Sequence, residues 1–269
     1  MRPKKSLGQH FLSDVNILAR IAGALASAPG EIVLEIGPGE GTLTRVLLER
    51  GARVIAIEKD DRLAKQLGGL GIRDSGLVVV AGDALELDWH SVLPIPNPES
   101  RIPPFSVIGN IPYYITSPLL EKALTPPLPR IIVFLVQQEV ADRIAAPPGS
   151  KTYGALSVGI QAACKVEKLF TVKAGAFRPP PKVDSAVIRL TPLEEPLVPV
   201  EQGSAFRRFV VAAFSQRRKQ LRNVLAGIVR REPGVVADDL RGLGIDPTWR
   251  PERLSPADFA RLLIWSRQL

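Results

Sequence analysis

The sequence predicts an α/β fold, in which a doubly wound and largely parallel sheet is followed by a small α-helical domain. Short apolar runs rich in β-branched residues alternate with helical patterns, as expected for a sheet built from βαβ units. The first run ends in a glycine-rich turn, and helical patterns take over after residue 193. The predicted strands are 32–36, 53–58, 77–81, 105–109, 131–136 and 183–190.

Helical patterns separate the predicted strands and dominate the end of the chain. Ser13 is the predicted N-cap of the first helix, because its hydroxyl can accept a hydrogen bond from a backbone amide. The predicted helices run from Ser13 to about Ala28, over 42–50, from Asp60 onward, over Phe206–Arg231 and over Pro256–Leu269. We therefore predict two domains, 1–193 with the sheet and 194–269 built from helices.

Two proline-rich segments indicate irregular structure. Pro94–Pro104 holds five prolines in eleven residues, which predicts a surface loop before the strand that leads to Asn110. Arg178–Lys182 contains three consecutive prolines, and their fixed φ angles make this stretch stiff and extended.

Charge and cysteine content limit the partners and the compartment. The 35 Lys and Arg residues exceed the 27 Asp and Glu residues by eight, which favours a polyanionic partner, either nucleic acid or a membrane surface. Cys164, the single cysteine, excludes a disulfide framework and argues against a multi-cysteine zinc site, and its apolar neighbours predict a buried, inert thiol. We expect no bound metal.

The N-terminus superficially resembles a secretory signal, because basic residues precede an apolar stretch that ends in small residues. Asp14, Asn16 and Arg20 interrupt that stretch, which argues against a signal. The longest apolar run elsewhere, 131–136, is too short to span a membrane. We therefore expect a cytoplasmic protein without a membrane segment.

The glycine-rich turn, Glu35-Ile36-Gly37-Pro38-Gly39-Glu40-Gly41, follows the first strand. Its glycines let the backbone approach a ligand without Cβ collisions, although similar turns serve NAD, FAD, S-adenosylmethionine and structural roles. The spacing G-x-G-x-G differs from the G-x-G-x-x-G that packs a dinucleotide pyrophosphate on a helix N-terminus. A negative charge on Glu35 suits a sulfonium cofactor better than a pyrophosphate.

Acidic residues end or follow the next two strands. Glu58 ends the second strand, where its two oxygens can accept hydrogen bonds from ribose hydroxyls. Asp83 follows the third strand, where a carboxylate can bind an adenine amino group. A single strand-end acid is more commonly just solvent-exposed. Together with Glu35 and the glycine turn, these acids favour a nucleoside cofactor.

Asn110-Ile111-Pro112-Tyr113 follows the fourth strand and suits methylation of an exocyclic adenine amine. The side-chain oxygen of Asn110 and the backbone carbonyl of Ile111 can accept hydrogen bonds from the amine, which localises its lone pair for attack on a methyl group. Pro112 stiffens the turn, and Tyr113 offers a flat face on which an extruded base can stack. The alternative is an ordinary strand-ending turn.

The chain resembles the family of ribosomal RNA adenine N6,N6-dimethyltransferases, from near its first residue to beyond Asn223. This resemblance implies a Rossmann-like class I methyltransferase fold with S-adenosylmethionine as cofactor. It further implies dimethylation of two adjacent adenosines in the hairpin near the 3′ end of 16S small-subunit rRNA, late in subunit assembly, and we expect a monomer. The matching stretches are 5–12 (KSLGQHFL), the glycine turn, 110–113, 138–143 (QEVADR), 153–157 (YGALS), 177–185 and 214–223 (FSQRRKQLRN).

The resemblance also assigns roles to individual residues. His10 and Leu12 close over the cofactor, although Asn is common in the family where His10 stands, and a solvated structural histidine is the alternative. Phe177 forms a second aromatic wall for the target base, with a core phenylalanine as the alternative. The predicted catalytic residues are Asn110, Ile111, Pro112, Tyr113 and Phe177, and the predicted cofactor residues are His10, Leu12, Gly37, Gly39, Glu58, Asp83, Ala84 and Asn110.

The helical pattern over Phe206–Arg231 carries eight Lys or Arg and no Asp or Glu. Such a run is commonly a solvated face, but the lack of any acid favours contact with RNA phosphates. The predicted RNA-binding residues are Arg217, Arg218, Lys219 and Arg222.

Three other functions remain open from the sequence. An Erm-type methyltransferase of large-subunit 23S rRNA shares the fold and the catalytic tetrapeptide, but the stretch 214–223 favours the small-subunit enzyme. A ribosome-assembly or RNA-binding factor without catalysis is disfavoured by intact Asn110 and Tyr113. An NAD oxidoreductase is disfavoured by the glycine spacing.

Overall fold

The computed structural model describes residues 9–69, 76–93, 104–216 and 218–268. Nearly all of the predicted loop at Pro94–Pro104 lies outside the described residues, as do 5–8 of the first matching stretch and Arg217. The strands are β1 (Phe11–Leu12), β2 (Ile32–Ile36), β3 (Arg53–Glu58), β4 (Leu77–Ala81), β5 (Phe105–Asn110), β6 (Ile132–Gln137), β7 (Cys164–Val172), β8 (Phe177–Arg178) and β9 (Ser185–Pro192).

Eleven helices are found in the described part of the chain, together with short 3₁₀ turns such as Tyr113–Ile115. They are α1 (Val15–Gly23), α2 (Thr42–Glu49), α3 (Asp61–Gly68), α4 (Trp89–Val92), α5 (Thr116–Ala123), α6 (Gln138–Ile144), α7 (Ala155–Gln161), α8 (Gly203–Phe214), α9 (Leu221–Val229), α10 (Pro233–Gly242) and α11 (Pro256–Arg267).

The main sheet has seven strands in the order β4-β3-β2-β5-β6-β9-β7. Neighbouring strands from β4 to β6 pair in parallel, and β9 pairs antiparallel with β6. The chain runs outward from β2 through β3 to β4 and then returns to β5 on the other side of β2. This reversal makes a topological switch point, where the carboxyl ends of β2 and β5 border a crevice. The predicted doubly wound α/β fold is confirmed.

The central strands are buried because apolar residues occupy almost every position. In β2 and β6, Val33, Leu34, Val133 and Phe134 have no solvent exposure. Continuous apolar runs of this kind are expected in parallel strands covered by helices on both faces. Removing one such side chain down to Ala costs about 2–5 kcal/mol of folding free energy.

A separate two-stranded ribbon pairs β1 with β8 in antiparallel orientation. Leu12 lies opposite Phe177, and both side chains are buried in the core that includes Leu18 and Ile21 of α1. The ribbon joins residues far apart in sequence, and no local pattern in so short a strand indicates the pairing.

The N-cap of helix α1 lies one residue later than predicted, and the helix ends earlier than predicted. Asp14, not Ser13, is the N-cap, because its Oδ1 accepts hydrogen bonds from the amides of Asn16 and Ile17 at 2.9 and 3.0 Å. The helix ends at Gly23 rather than near Ala28.

The chain divides into two compact units. Unit 1 contains the described residues up to Ala141 together with Val166–Pro192, and unit 2 contains Asp142–Lys165 and the chain from Leu193 onward. The predicted division between 193 and 194 lies one residue from this second boundary. The predicted continuity of 1–193 is wrong, because Asp142–Lys165 packs with the later helices, as when Tyr153 donates a hydrogen bond to the carbonyl of Leu254 at 2.8 Å.

Unit 2 is helical around its own apolar core, which includes Phe206, Phe209 and Phe259. The helix predicted over Phe206–Arg231 is two helices, α8 and α9. Gln220 has extended backbone angles, and the amide of Leu221 donates to the carbonyl of Trp249 at 2.7 Å, so tertiary contacts replace helical bonds at this point. No Gly or Pro stands between α8 and α9 to indicate the break.

Cys164 is buried at the start of β7, and burial raises the pKa of its thiol to about 12. The prediction of an inert cysteine agrees with this environment, because the reactive thiolate is not formed near neutral pH. Across the described segments, no helix has the length and apolar character needed to cross a membrane.

Candidate cofactor and substrate site

A cavity opens where the carboxyl ends of β2, β3, β4 and β5 meet. The switch point brings these ends together, although they are widely spaced in sequence. The cavity is lined by every predicted cofactor residue and by three further residues of the catalytic turn, namely His10, Leu12, Gly37, Gly39, Glu58, Asp83, Ala84, Asn110, Ile111, Pro112 and Tyr113.

The glycine turn between β2 and α2 needs glycine for its geometry. Gly37 and Gly39 have φ angles of +67° and +58°, a region that side chains disfavour. A Cβ on Gly39 would lie 2.9 Å from Cε1 of Phe11, whose ring covers the turn. The turn is therefore a close-packed backbone surface facing the cavity.

Glu58 ends β3 and is 5% exposed. Its Oε2 accepts a hydrogen bond from the amide of Gly39 at 3.0 Å, and its Oε1 accepts one from the amide of Asp60 at 2.8 Å. Burial raises the pKa of this carboxyl above its ordinary value. Glu58 lines the cavity, and its binding of ribose hydroxyls stays a prediction.

Asp83 follows β4 and is held by two donors. Its Oδ1 accepts from the amide of Leu85 at 2.9 Å, and its Oδ2 accepts from Nζ of Lys59. The hydrogen bond from Lys59 holds the pKa of Asp83 below its usual range, so the carboxylate stays charged. Lys59 also lines the cavity and was missed, because its sequence neighbourhood does not show which strand end it faces.

Ala84 is positioned through its backbone. Its carbonyl oxygen accepts a hydrogen bond from the indole Nε1 of buried Trp89 at 2.7 Å. The next residue is fixed similarly, since Nζ of Lys122 donates to the carbonyl of Leu85 at 2.7 Å. These two bonds hold the loop after β4 against the start of α4 and against α5.

Glu35 lies in β2 and is 1% exposed. Thr44 donates a hydrogen bond from Oγ1 to Oε2 of Glu35 at 2.7 Å. Burial raises the pKa of Glu35 to about 7, a further rise coming from the nearby charge of Glu58. Burial thus disfavours the negative charge predicted for Glu35.

Asn110 ends β5 at the centre of the site. Its Nδ2 donates to the backbone carbonyl of His10 at 2.8 Å, which fixes the orientation of the amide because a carbonyl can only accept. Among the described residues none bonds to Oδ1, which is thus available to a substrate amine. The amide of Ile111 donates to the carbonyl of Leu135 at 3.0 Å and anchors the turn to β6.

Tyr113 is fixed at both its ring and its hydroxyl. The hydroxyl is 3.0 Å from Oγ of Ser185 at the start of β9. The ring lies against that of His10, with centroids 6.0 Å apart and planes inclined by 25°. His10 in turn donates from Nδ1 to the carbonyl of Pro179 at 2.7 Å. The aromatic face proposed for the target base is therefore preorganised.

Phe177 lies in the core and does not form a second aromatic wall. Its side chain is 2% exposed and packs with Leu12 and the residues of α1. The prediction of a wall is contradicted by this burial, and the core alternative is the one observed. Tyr114 is instead the exposed aromatic residue on the cavity, with 59% exposure, and the sequence reasoning missed it.

The predicted RNA-binding residues of unit 2 follow α8. Arg218 and Lys219 are exposed and Arg222 is partly buried at the start of α9, while Arg217 lies outside the described residues. Within the described ranges, none of these three side chains forms an ion pair. They are available to an anionic partner.

The residues of the cavity fit S-adenosylmethionine. The glycine turn gives a surface that a Cβ would fill, and Glu58 and Asp83 place acceptors at adjacent strand ends for a nucleoside. In the parts of the chain that the structure describes, no cluster of His, Cys, Asp or Glu is suited to a metal ion. The fold and the site together define a Rossmann-like class I methyltransferase.

Comparison with known proteins names the family. The family of ribosomal RNA adenine dimethylases matches residues 1–267. The chain therefore belongs to this family and is an S-adenosylmethionine-dependent methyltransferase. The ribosomal RNA small subunit methyltransferase A of Pseudomonas aeruginosa is 42% identical over 262 residues, which cover 97% of this chain and 93% of that protein. Its counterpart in Moorella thermoacetica is 43% identical, with 97% and 91% covered.

Two solved structures are similar over nearly the whole chain. A dimethyladenosine transferase from Plasmodium falciparum has a TM-score of 0.77 at 28% identity, covering 96% of this chain and 98% of that one. The 23S rRNA methyltransferase ErmE has a TM-score of 0.71 at 31% identity, covering 96% and 100%. Both likenesses agree with the class I methyltransferase fold.

Proposed function

We propose that this enzyme dimethylates the N6 amines of two adjacent adenosines in the 3′-terminal hairpin loop of 16S rRNA. Its substrate is the small ribosomal subunit or a precursor late in assembly. The enzyme acts as a monomer in the cytoplasm. The observation that supports the adenine chemistry is the fixed amide of Asn110. Its Nδ2 donates to the carbonyl of His10, which leaves Oδ1 to accept a hydrogen bond from the substrate. The names of the relatives at 42–43% identity support the small subunit as target.

In the proposed reaction, the chain supplies acceptors and a stacking surface. S-adenosylmethionine supplies the electrophilic methyl group. Oδ1 of Asn110 and the carbonyl of Ile111 accept hydrogen bonds from the adenine amine, so that its lone pair is directed at the methyl carbon. No base is needed before attack, because the proton is lost after transfer from the acidic ammonium that forms.

Tyr113 is the proposed stacking partner of the target base. Its hydroxyl is held by Ser185 and its ring by His10, so little side-chain entropy is lost when an extruded adenine stacks on it. We propose that Glu58 binds the ribose of the cofactor, that Asp83 binds its adenine amine, and that His10 and Leu12 cover it.

The basic segment of unit 2 is the proposed RNA-binding element. Arg218, Lys219 and Arg222, with Arg217, offer a group of cations to rRNA phosphates. Because A-form grooves hide base edges, contacts of this kind recognise the shape of folded rRNA and leave base selection to the catalytic site. This gives the helical region 194–269 its proposed role in ribosome binding.

The likeness to ErmE raises methylation of 23S rRNA as a second candidate. The identity of 31% is lower than that to the small-subunit enzymes, and the stretch 214–223 favours the latter. A factor without catalysis is disfavoured, since Asn110 and Tyr113 keep the geometry that the chemistry needs.

One experiment separates these candidates. The protein is incubated with labelled S-adenosylmethionine and either unmethylated small subunits or naked 23S rRNA. We expect label in the small subunit, with four methyl groups on two adjacent adenosines by mass spectrometry of nuclease fragments. Label only in 23S rRNA would establish the second candidate, and no label in either would support a non-catalytic factor.

A further inference from the structure

The proline-rich stretch 178–183 runs beside the catalytic turn, and we call it the proline strap. Near one end, the carbonyl of Pro179 accepts a hydrogen bond from Nδ1 of His10 at 2.7 Å. Just beyond the other end, Ser185 Oγ lies 3.0 Å from the hydroxyl of Tyr113. His10 is itself stacked on Tyr113 and bonded to Asn110. Hydrogen bonds near one end of the strap and just beyond the other end therefore connect it to His10 and Tyr113, which lie in the catalytic site.

The cation at the start of the strap belongs to the ribbon of β1 and β8, whose residues Phe11 and Leu12 line the cavity. Arg178 is directly opposite Phe11 in the antiparallel pair of β1 and β8. Opposed residues in such a pair project from the same face, and the ring of Phe11 lines the cavity against Gly39. Arg178 is exposed, since Phe177, on the opposite face, takes the core position.

The strap has positive charge without a local counter-charge. Arg178 and Lys182 are exposed, and in the described ranges neither forms an ion pair. The nearby acid, Asp184, is engaged by Nζ of Lys173 at 2.8 Å and by the amide of Ala174 at 3.0 Å. Its negative charge is therefore balanced by Lys173 and not by the strap.

The strap is also rigid before any ligand binds. Pro179, Pro180 and Pro181 have fixed φ angles, so a partner that binds here pays little for ordering the backbone. Two cations on a stiff segment beside Tyr113, the proposed stacking partner, suit the phosphates on either side of an extruded base.

We propose that Arg178 and Lys182 bind the RNA phosphates that flank the target adenosine. This inference rests on the proposed function for the identity of the RNA, and it adds a second set of phosphate contacts in unit 1, apart from the basic segment of unit 2. The strap holds the strand on both sides of the flipped nucleotide and so presents its base to Tyr113.

The test measures RNA binding separately from turnover. Fluorescence anisotropy gives the dissociation constant of a labelled hairpin RNA, with two adjacent adenosines in its loop, over a series of salt concentrations. For a single-stranded loop, each lost phosphate contact lowers the slope of log affinity against log salt by about 0.7. The double variant Arg178→Gln/Lys182→Gln is expected to lose about 1.4 from this slope.

A matched control removes the same charge elsewhere. Arg53, exposed at the amino end of β3, and Lys65, exposed on α3, are changed together to Gln and are expected to leave the slope as in wild type. The charge-keeping variant Arg178→Lys/Lys182→Arg is expected to retain the wild-type slope. An unchanged slope in the neutral strap variant, an equal drop in the control, or a drop in the charge-keeping variant overturns the proposal.

Cofactor binding by equilibrium dialysis is expected to stay at the wild-type level in every variant, because neither side chain lines the cavity. A loss confined to the neutral strap variant would assign these cations to the cofactor and overturn the proposal. If the wild type binds the hairpin with a strap-dependent slope but methylates no rRNA, the proposed function fails while the strap stands.

Discussion

The side-chain amide of Asn110 donates a hydrogen bond to the backbone carbonyl of His10, with the two atoms 2.8 Å apart. The bond joins the end of β5 to the residue just before β1, across 100 positions of sequence. It uses one N–H of the Asn110 side-chain amide and leaves the oxygen for the substrate. The accepting atom belongs to the backbone, so the bond does not require a histidine side chain at position 10.

We therefore expect Asn110→Ala to lower kcat for methyl transfer by about 100-fold or more, since a positioned group that stabilises developing charge is lost. Cofactor affinity is expected to weaken and remain measurable by equilibrium dialysis. Asn110→Asp is expected to be similarly inactive, because a carboxylate cannot donate to the carbonyl of His10. Asn16→Ala, on the exposed side of α1, serves as control, and wild-type turnover by Asn110→Ala would contradict the mechanism.

The pair Tyr113 and Ser185 gives a second prediction, on the stacking surface. Tyr113→Phe and Ser185→Ala each remove the same hydrogen bond, so their effects on kcat/KM are expected to be non-additive, with a coupling of about 1 kcal/mol. Tyr113→Ala also removes the ring and is expected to cost about 1–3 kcal/mol of RNA binding. Steady-state methylation of small subunits measures the coupling, and fluorescence anisotropy with the labelled hairpin RNA measures the loss of binding. Additive effects of the two conservative variants would show that the hydroxyl bond has no role.

Asp83 gives a third prediction, on the cofactor. In Asp83→Asn, the side-chain oxygen can still accept from the amide of Leu85, while the charge and the second acceptor are lost. A hydrogen bond to a charged group contributes about 1.5–3 kcal/mol, so the dissociation constant for S-adenosylmethionine is expected to rise by about tenfold or more.

Equilibrium dialysis checks the Asp83 prediction, with Asp61→Asn on the exposed face of α3 as control. Thermal unfolding verifies that both variants are folded. An unchanged dissociation constant for Asp83→Asn would remove Asp83 from the cofactor site.

Much of the sheet was predictable, because its strands are continuous apolar runs bounded by turns. The strands 32–36, 53–58 and 77–81 were placed at their observed bounds. The residues lining the cavity were also predictable, since parallel strands with this topology bring Glu58 and Asn110 to one edge.

Other features depend on contacts that no local pattern contains. The pairing of β1 with β8 turns Phe177 into the core, and two residues are too few to show an alternation. The ion pair of Lys59 with Asp83 and the break between α8 and α9 arise from tertiary packing. Such features are visible only in the folded structure, since they depend on tertiary contacts.

Glu35 gives the last prediction, on stability and pH. Its ordinary pKa of 4.5 is raised to about 7 in the folded protein, chiefly by burial. Between these values the unfolded chain has lost the proton and the folded chain still holds it, so stability falls as pH rises from about 4.5 to about 7 and then levels off. Glu35→Gln keeps an acceptor for Thr44 and cannot ionise, so this contribution disappears. Urea unfolding across that range is expected to show a decline in wild type that exceeds the decline in the variant by on the order of 3 kcal/mol. Glu49→Gln, at an exposed position of α2, is expected to follow wild type, and parallel curves for wild type and Glu35→Gln would show that folding does not raise the pKa of Glu35.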